Sequence, residues 1–248
     1  YLIKKELEQS MKDFKAIGAG GLLMDIQTGE VLSLVSLPDY NINLRNQISH
    51  SDYTNKITKG IFELGSIFKT FTIALALEEN LYMPDTIIEN IPNNIKCSKY
   101  TISEHDKLPQ NLSIEEILIR SSNIGSAMIA KKIGEESFKN FLKKLKLLDT
   151  LKFELDEVGR PISFKWDKCK LETVSFGHGI TTTPLQAATA YAAMSNGGYL
   201  VQPTLKLKNV TKVELNRVIS AKTSEQINSI LRKVVTHEHG TASLANVF

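Results

Sequence analysis

Two short apolar runs near the start of the chain are separated by a polar turn. The runs cover residues 22–24 and 31–35, and Gly29 lies between them. Short runs around a glycine-containing turn are typical of an antiparallel β-hairpin. An amphipathic helix is predicted just before the hairpin, over Leu2 to Ile17, because apolar residues recur there every three to five positions.

A series of helices is predicted from residue 66 onward. Segment 66–81 is apolar on nearly all sides, which is typical of a helix buried in a core. Ser113 followed by Glu116 has the spacing of a helix-capping box, and Pro184 suits the first position of a helix. Further helices are predicted over residues 114–120, 123–132, 135–147, 184–195 and 224–236. This order favours an α+β fold with helices packed on an antiparallel sheet.

Composition excludes several classes of protein. Hydrophobic residues make up 42% and charged residues 23%, as in an ordinary globular domain. The formal net charge of +3 is too small for a nucleic-acid-binding surface, so no nucleic-acid partner is expected. The chain also has no run of about 20 apolar residues, the length that a membrane span needs.

The two cysteines, Cys97 and Cys169, lie too far apart in sequence for a zinc motif. No metal site is therefore expected. We expect two free, partly buried thiols, with a disulfide as the alternative in an oxidising compartment.

Ser66 is the only serine followed by a lysine three positions later, Lys69. Residues three apart lie on one face of a helix, so the lysine amine could accept the serine proton and make the hydroxyl a nucleophile. The lysine would have to be neutral, and burial lowers the pKa of an amine. The spacing alone fits at least as well a capping serine followed by a lysine that reaches solvent.

A second polar group, Ser121 to Asn123, lies between two predicted helices. Ser121 offers a hydroxyl for proton relay, and the Asn123 amide could hold a peptide carbonyl or the lysine. A polar turn in which Asn123 caps the next helix explains the same residues without catalysis.

Ser-x-x-Lys followed by Ser-x-Asn resembles the signature of the penicillin-binding proteins. Five further segments resemble the same family, so that the similarity covers nearly the whole chain: 24–32, 36–41, 175–179, 183–186 and 240–242. Arg120 to Gly125 is similar to the septal, cell-division type of the monofunctional (class B) members.

The resemblance implies a peptidoglycan D,D-transpeptidase with Ser66 as nucleophile, Lys69 as base, Ser121 as proton relay and Asn123 as a substrate-binding amide. It implies no cofactor. The expected partners are pentapeptide stems, β-lactam antibiotics, and division and glycan-polymerising membrane proteins. A D,D-carboxypeptidase, a serine β-lactamase or β-lactam sensor, and a non-catalytic division scaffold remain alternatives.

The resemblance also implies a single transpeptidase domain over residues 1–248. Residues 1–60 and 170–248 would form an α/β part, and 61–169 a helical lobe. The family's Lys-Thr-Gly motif is absent from the sequence, so we expect it, and the C-terminal strands, beyond Phe248. An N-terminal anchor outside this chain would hold the domain at the periplasmic face of the bacterial inner membrane.

Overall fold

The computed structural model describes residues 1–44, 46, 53–207 and 216–247. Its first element is the helix α1 (Leu2–Asp13), and the hairpin of β1 (Ala19–Met24) and β2 (Val31–Leu37) follows. The two strands are antiparallel, with Gly21 opposite Val35. The predicted hairpin is confirmed, and its strands are longer than the apolar runs.

The turn of the hairpin is closed by its own side chains. The Asp25 carboxylate accepts hydrogen bonds from the backbone N–H groups of Gln27 and Thr28, both at 2.8 Å. Gly29 has a φ of 78°, a conformation that favours glycine. A Cβ at Gly29 would also lie 2.4 Å from the carbonyl oxygen of Gln202.

Helix α2 (Lys69–Glu78) is the centre of the core, and every residue from Lys69 to Leu77 is buried. A short 3-10 turn over Gly65–Phe68 leads into it. The predicted helix over 66–81 is therefore confirmed as a buried element, but its first turn is 3-10 and it ends at Glu78. Its neighbours are α3 (Ile114–Ile119), α4 (Asn123–Ile133), α5 (Glu135–Lys144) and α8 (Ala221–Thr236).

Two helices begin with capping boxes, of which only the one at α3 was predicted. In α3 the Ser113 hydroxyl accepts from the backbone N–H of Glu116, and the Glu116 carboxylate accepts from the N–H of Ser113. Helix α7 (Pro184–Ser195) begins with a second capping box, formed by Thr183 and Gln186. Such caps satisfy backbone N–H groups that a helix leaves unpaired at its start.

Several short elements were not predicted. The strands pair as three small antiparallel units: β3 (Ile87–Ile88) with β6 (Leu112–Ser113), β4 (Asn94–Cys97) with β5 (Tyr100–Ser103), and β7 (Tyr199–Leu200) with β8 (Asn216–Arg217). Helix α6 (Lys170–Val174) and a 3-10 turn over Ser243–Ala245 complete the list. The architecture is α+β, as predicted.

Besides the end of α2, three predicted helix ends are wrong. Helix α5 ends at Lys144, three residues before the predicted end at 147. Helix α1 ends at Asp13, and Phe14 and Ile17 are exposed rather than part of its apolar face. Helix α8 starts at Ala221, three residues before the prediction, because the Ser220 hydroxyl caps it by accepting from the N–H of Thr223.

The expectation of two free thiols is also wrong. Cys97 at the end of β4 and Cys169 just before α6 form a disulfide, with their Cα atoms 5.5 Å apart. The bond joins the β4–β5 hairpin to the start of α6. Within the described ranges, the helices are all too short or too polar to cross a membrane.

Candidate active site

Ser66 and Lys69 lie one turn apart where the 3-10 turn meets α2. The Lys69 Nζ is 2.8 Å from the Ser66 Oγ, within hydrogen-bonding distance. Ser66 is exposed, whereas the Lys69 residue is only 1% exposed. The serine is thus open to a ligand, and its lysine partner points into the protein, so the alternative of a solvent-reaching lysine is wrong.

The Lys69 amine is poised between its charged and neutral forms. Burial in the apolar core lowers its pKa to about 8, and the negative charge of Glu104 partly opposes this by raising the pKa. Desolvation penalises a charged amine, while a nearby carboxylate favours it. A lysine with a pKa near 8 can act as a general base close to neutral pH.

Ser121 supplies two more partners for the same amine. The Lys69 Nζ lies 2.7 Å from the Ser121 Oγ and 2.7 Å from the Ser121 carbonyl oxygen. Ser121 has a φ of 58°, a left-handed conformation that is uncommon for residues other than glycine. The structure therefore brings Ser66, Lys69 and Ser121 into one hydrogen-bonded group, although Lys69 and Ser121 are 52 positions apart in the sequence.

Asn123 lies beside this group but does not bond the lysine. Its side-chain amide donates to the Ser103 carbonyl at 3.1 Å. Asn123 is the first residue of α4, and the residue that caps the helix is Ser122, whose hydroxyl accepts from the N–H of Gly125. The expectation that the Asn123 side chain caps the helix is therefore wrong.

Glu104 was missed by the sequence analysis. Its carboxylate accepts from the Ser122 hydroxyl at 2.6 Å and from the backbone N–H groups of Asn123 at 2.7 Å and Ile124 at 3.1 Å. It lies in an irregular polar segment, and no local pattern marks it. Only the folded chain brings it to the start of α4.

The segment 175–179, which resembles a family motif, packs directly against the loop of the nucleophile candidate. A Cβ on Gly177 would lie 2.0 Å from the carbonyl oxygen of Gly65. The Thr72 hydroxyl donates to the Ser175 carbonyl at 2.7 Å. The His178 Nδ1 lies 3.2 Å from a carboxylate oxygen of Glu63. Two of these contacts, those of Gly177 and His178, are made with the loop before Ser66.

A cavity of about 570 Å³ is lined by Glu104 and Asn123 among others, whereas Ser66, Lys69 and Ser121 are not in its wall. The wall carries polar and apolar side chains, including Thr101, Glu104, Asn123, Thr173, Phe176 and His178. The disulfide is part of the wall, since Cys97 and Cys169 both line the cavity. The cavity thus lies between the β4–β5 hairpin and the segment around α6, and Asn123 at the start of α4 also lines it.

The arrangement can perform nucleophilic acyl transfer. An exposed hydroxyl lies next to an amine of lowered pKa, and a second hydroxyl lies on the other side of that amine. A positioned base of this kind activates a serine that is a weak nucleophile by itself.

Comparison with known families agrees with this chemistry. Residues 19–247 match the family described as the penicillin binding protein transpeptidase domain. The chain is similar to the probable peptidoglycan D,D-transpeptidase FtsI of Caulobacter vibrioides, with 33% identity over 99% of this chain and 42% of that protein. It is 28% identical to the probable peptidoglycan D,D-transpeptidase PenA of Neisseria flavescens, over 95% of this chain and 58% of that protein. The chain thus spans less than two thirds of each of these relatives.

Solved structures give the same result. The apo transpeptidase domain of penicillin-binding protein 3 from Burkholderia pseudomallei superposes with a TM-score of 0.87 at 27% identity, covering 98% of this chain and 70% of that chain. A peptidoglycan glycosyltransferase from Burkholderia ambifaria also gives a TM-score of 0.87, at 26% identity, over 98% of this chain and 74% of that chain.

Proposed function

Because this chain belongs to the family of penicillin-binding protein transpeptidase domains, we propose that it is the catalytic part of a peptidoglycan D,D-transpeptidase. The observation that carries the proposal is the group of Ser66, Lys69 and Ser121, joined by hydrogen bonds of 2.7 to 2.8 Å. A non-catalytic scaffold would have no need to bury a lysine against two serine hydroxyls.

The first half of the proposed reaction forms an acyl-enzyme. The neutral Lys69 amine takes the proton of the Ser66 hydroxyl, and the Oγ attacks the carbonyl carbon of the penultimate D-Ala of a pentapeptide stem. The peptide bond to the terminal D-Ala breaks, and the leaving amine takes a proton through the Ser121 hydroxyl. The penultimate D-Ala is then joined to Ser66 as an ester.

The second half transfers the acyl group. The amine of a neighbouring stem attacks the ester, loses a proton to the same lysine and serine group, and releases Ser66. A peptide cross-link replaces the bond to the terminal D-Ala, so one amide is exchanged for another and no external energy source is required. A β-lactam would acylate Ser66 by opening its ring amide in the same way.

In the bound substrate, Asn123 would hold a stem carbonyl by its side-chain amide. We propose a septal, cell-division role on the basis of the Arg120–Gly125 segment, and a position at the periplasmic face of the inner membrane with an anchor outside this chain. Division and glycan-polymerising membrane proteins are the proposed partners.

A fluorescent penicillin tests the proposal in the full-length protein. We expect covalent label on Ser66, located by peptide mapping, and no label in the Ser66→Ala variant. Ser103→Ala is the matched control, because Ser103 is another exposed serine, in the cavity wall, but has no lysine three positions later. Label that persists in Ser66→Ala, or disappears in Ser103→Ala, would contradict the assignment of the nucleophile.

Incubation with a pentapeptide stem and a stem amine as acceptor tests the transfer step. Mass spectrometry should detect the cross-linked product and free D-Ala. Release of D-Ala with only hydrolysed tetrapeptide would instead identify a D,D-carboxypeptidase.

A further inference from the structure

Glu104 lies at the point where the β4–β5 hairpin meets the start of α4. It directly follows Ser103, the last residue of β5. The two residues contact the turn before α4 together: the Ser103 carbonyl accepts from the Asn123 side chain, and the Glu104 carboxylate accepts from the backbone.

The carboxylate of Glu104 accepts three hydrogen bonds, two from backbone N–H groups and one from a side-chain hydroxyl. One oxygen accepts from the Ser122 hydroxyl and from the N–H of Ile124, and the other accepts from the N–H of Asn123. A carboxylate at the start of a helix is favoured by the helix dipole and by the unpaired N–H groups there. Three bonds from consecutive residues leave the Ser121–Asn123 turn little freedom to move.

The position of this turn decides what Lys69 contacts. Ser121, directly before the clamped residues, presents both its hydroxyl and its carbonyl oxygen to the Lys69 amine, and it does so in a left-handed conformation. Such a conformation costs free energy and persists only where surrounding contacts hold it. The Glu104 contacts are adjacent to it in the chain.

We infer that Glu104 is a positioning residue of the active site, whose carboxylate holds the Ser121–Asn123 turn so that the Ser121 hydroxyl and carbonyl oxygen face the Lys69 amine. It acts through the turn rather than on the reacting atoms. This role rests on the proposed function, because Lys69 and Ser121 perform chemistry only if that function holds.

The negative charge of Glu104 has a second effect on the site. It raises the pKa of the Lys69 amine against the lowering caused by burial. Other titratable groups also surround the cavity and the start of α2: His105, Asp167, Lys168, Lys170, His178 and Tyr191. The Glu104 carboxylate is the charged group that raises the pKa of the Lys69 amine.

The test compares Glu104→Gln with the matched control Glu78→Gln in the full-length protein. Glu78 is a fitting control because its carboxylate also binds the start of a helix, accepting from the N–H of Ser220 and the hydroxyl of Thr223 at α8. The acylation rate with a fluorescent penicillin is measured from pH 6 to pH 10. Glu104→Asp, which keeps the charge on a shorter side chain, is the conservative variant.

We expect Glu104→Gln to lower the plateau rate by about tenfold or more, because small displacements of reacting groups are costly. The rate should rise with pH as Lys69 loses its proton. Without the carboxylate the charged amine is less favoured, so the midpoint of this rise should move to lower pH by about half a unit or more. Glu104→Asp should keep the midpoint near that of the wild type, and Glu78→Gln should change neither the midpoint nor the plateau.

A second measurement needs no activity. The Lys69 pKa can be followed directly by NMR with ¹³C-labelled lysine, with the Lys69 signal assigned by its loss in Lys69→Met. We expect a lower pKa in Glu104→Gln than in the wild type. An unchanged Lys69 pKa together with an unchanged acylation rate would overturn the inference. A loss of acylation rate in Glu104→Gln equal to the loss in Glu78→Gln would overturn it as well. If the wild type did not acylate at all, the proposed function would fail, while the NMR titration would still show whether the Glu104 carboxylate raises the pKa of the Lys69 amine.

Discussion

The Lys69 amine is subject to two opposing influences at the residue scale. The apolar core around α2 disfavours its charge, whereas Glu104 and the oxygen atoms of Ser66 and Ser121 favour it. With a pKa of about 8, about one tenth of the molecules hold a neutral amine at pH 7. That fraction is sufficient for a base, because proton exchange is fast compared with acyl transfer.

Replacing Lys69 by arginine separates the role of a base from the role of a positive charge. Arginine keeps the charge but stays protonated at any accessible pH, so we expect Lys69→Arg to lower the penicillin acylation rate by about a hundredfold or more. Lys132→Arg is the control, because Lys132 is exposed at the end of α4. Acylation of Lys69→Arg at a rate near that of the wild type would show that Lys69 serves only as a charge.

At the scale of elements, the disulfide joins parts that otherwise share few contacts. It closes a loop of 72 positions between β4 and the start of α6. A cross-link restricts the unfolded chain, and for a loop of this length the chain-entropy relation gives about 4 kcal/mol. The hairpin that carries Glu104 is therefore held by a covalent bond close to the site.

Removing this bond should weaken the whole domain. We expect the double variant Cys97→Ser, Cys169→Ser to lose up to about 4 kcal/mol of unfolding free energy in urea denaturation. Dithiothreitol should produce a similar loss in the wild type and none in the double variant. Equal denaturation curves for the oxidised wild type and the double variant would mean that the bond does not contribute to stability.

The predictability of these elements follows from their length and periodicity. The buried helix, the hairpin and the Ser113–Glu116 cap have signals within a few residues, and the structure confirms them. Strands of two residues such as β3 have too few positions to show alternation, so they were not predicted. The division into residues 1–60 with 170–248 and residues 61–169 stays a prediction.

In the candidate site, too, only residues close together in sequence could be predicted to meet. Ser66 and Lys69 lie one turn apart, so their spacing showed that they could meet, although a capping serine with a solvent-reaching lysine fitted the same spacing. Glu104 and Gly177 reach the site only through tertiary contacts. No pattern marks Glu104, and the resemblance of segment 175–179 to a family motif does not indicate which residue Gly177 contacts. The disulfide was undetermined for the same reason, because two cysteines 72 positions apart say nothing about their distance in space.

At the scale of the whole molecule, the site depends on a contact between backbones far apart in sequence. Gly177 lies after α6 and meets Gly65, the residue directly before Ser66, so closely that a Cβ would lie 2.0 Å from its carbonyl oxygen. A side chain there would have to displace the loop that carries the nucleophile candidate. The geometry of Ser66 is thus set partly by the packing of the segment after α6.

Gly177→Ala should therefore reduce acylation strongly, by about a hundredfold. Gly134→Ala is the matched control, because Gly134 also has a positive φ, 90° against 83°, but no heavy atom within 4 Å of the added Cβ. Both variants should lose some stability from backbone strain, while only Gly177→Ala should lose most of its acylation rate. Parallel losses of rate in the two variants would show that strain, rather than displacement of Ser66, is responsible.

The burial of Lys69 also affects how the protein exchanges protons when it folds. In the unfolded chain this amine has its ordinary pKa of 10.5, and in the folded protein its pKa is about 8. Folding below pH 8 must therefore place a charged amine where charge is disfavoured, which lowers the free energy of unfolding by about 3 kcal/mol. As the pH rises from 8 to 10.5, the unfolded chain holds the proton that the folded protein has released, and this destabilisation disappears. The burial that prepares Lys69 to accept a proton thus lowers the stability of the folded protein near neutral pH.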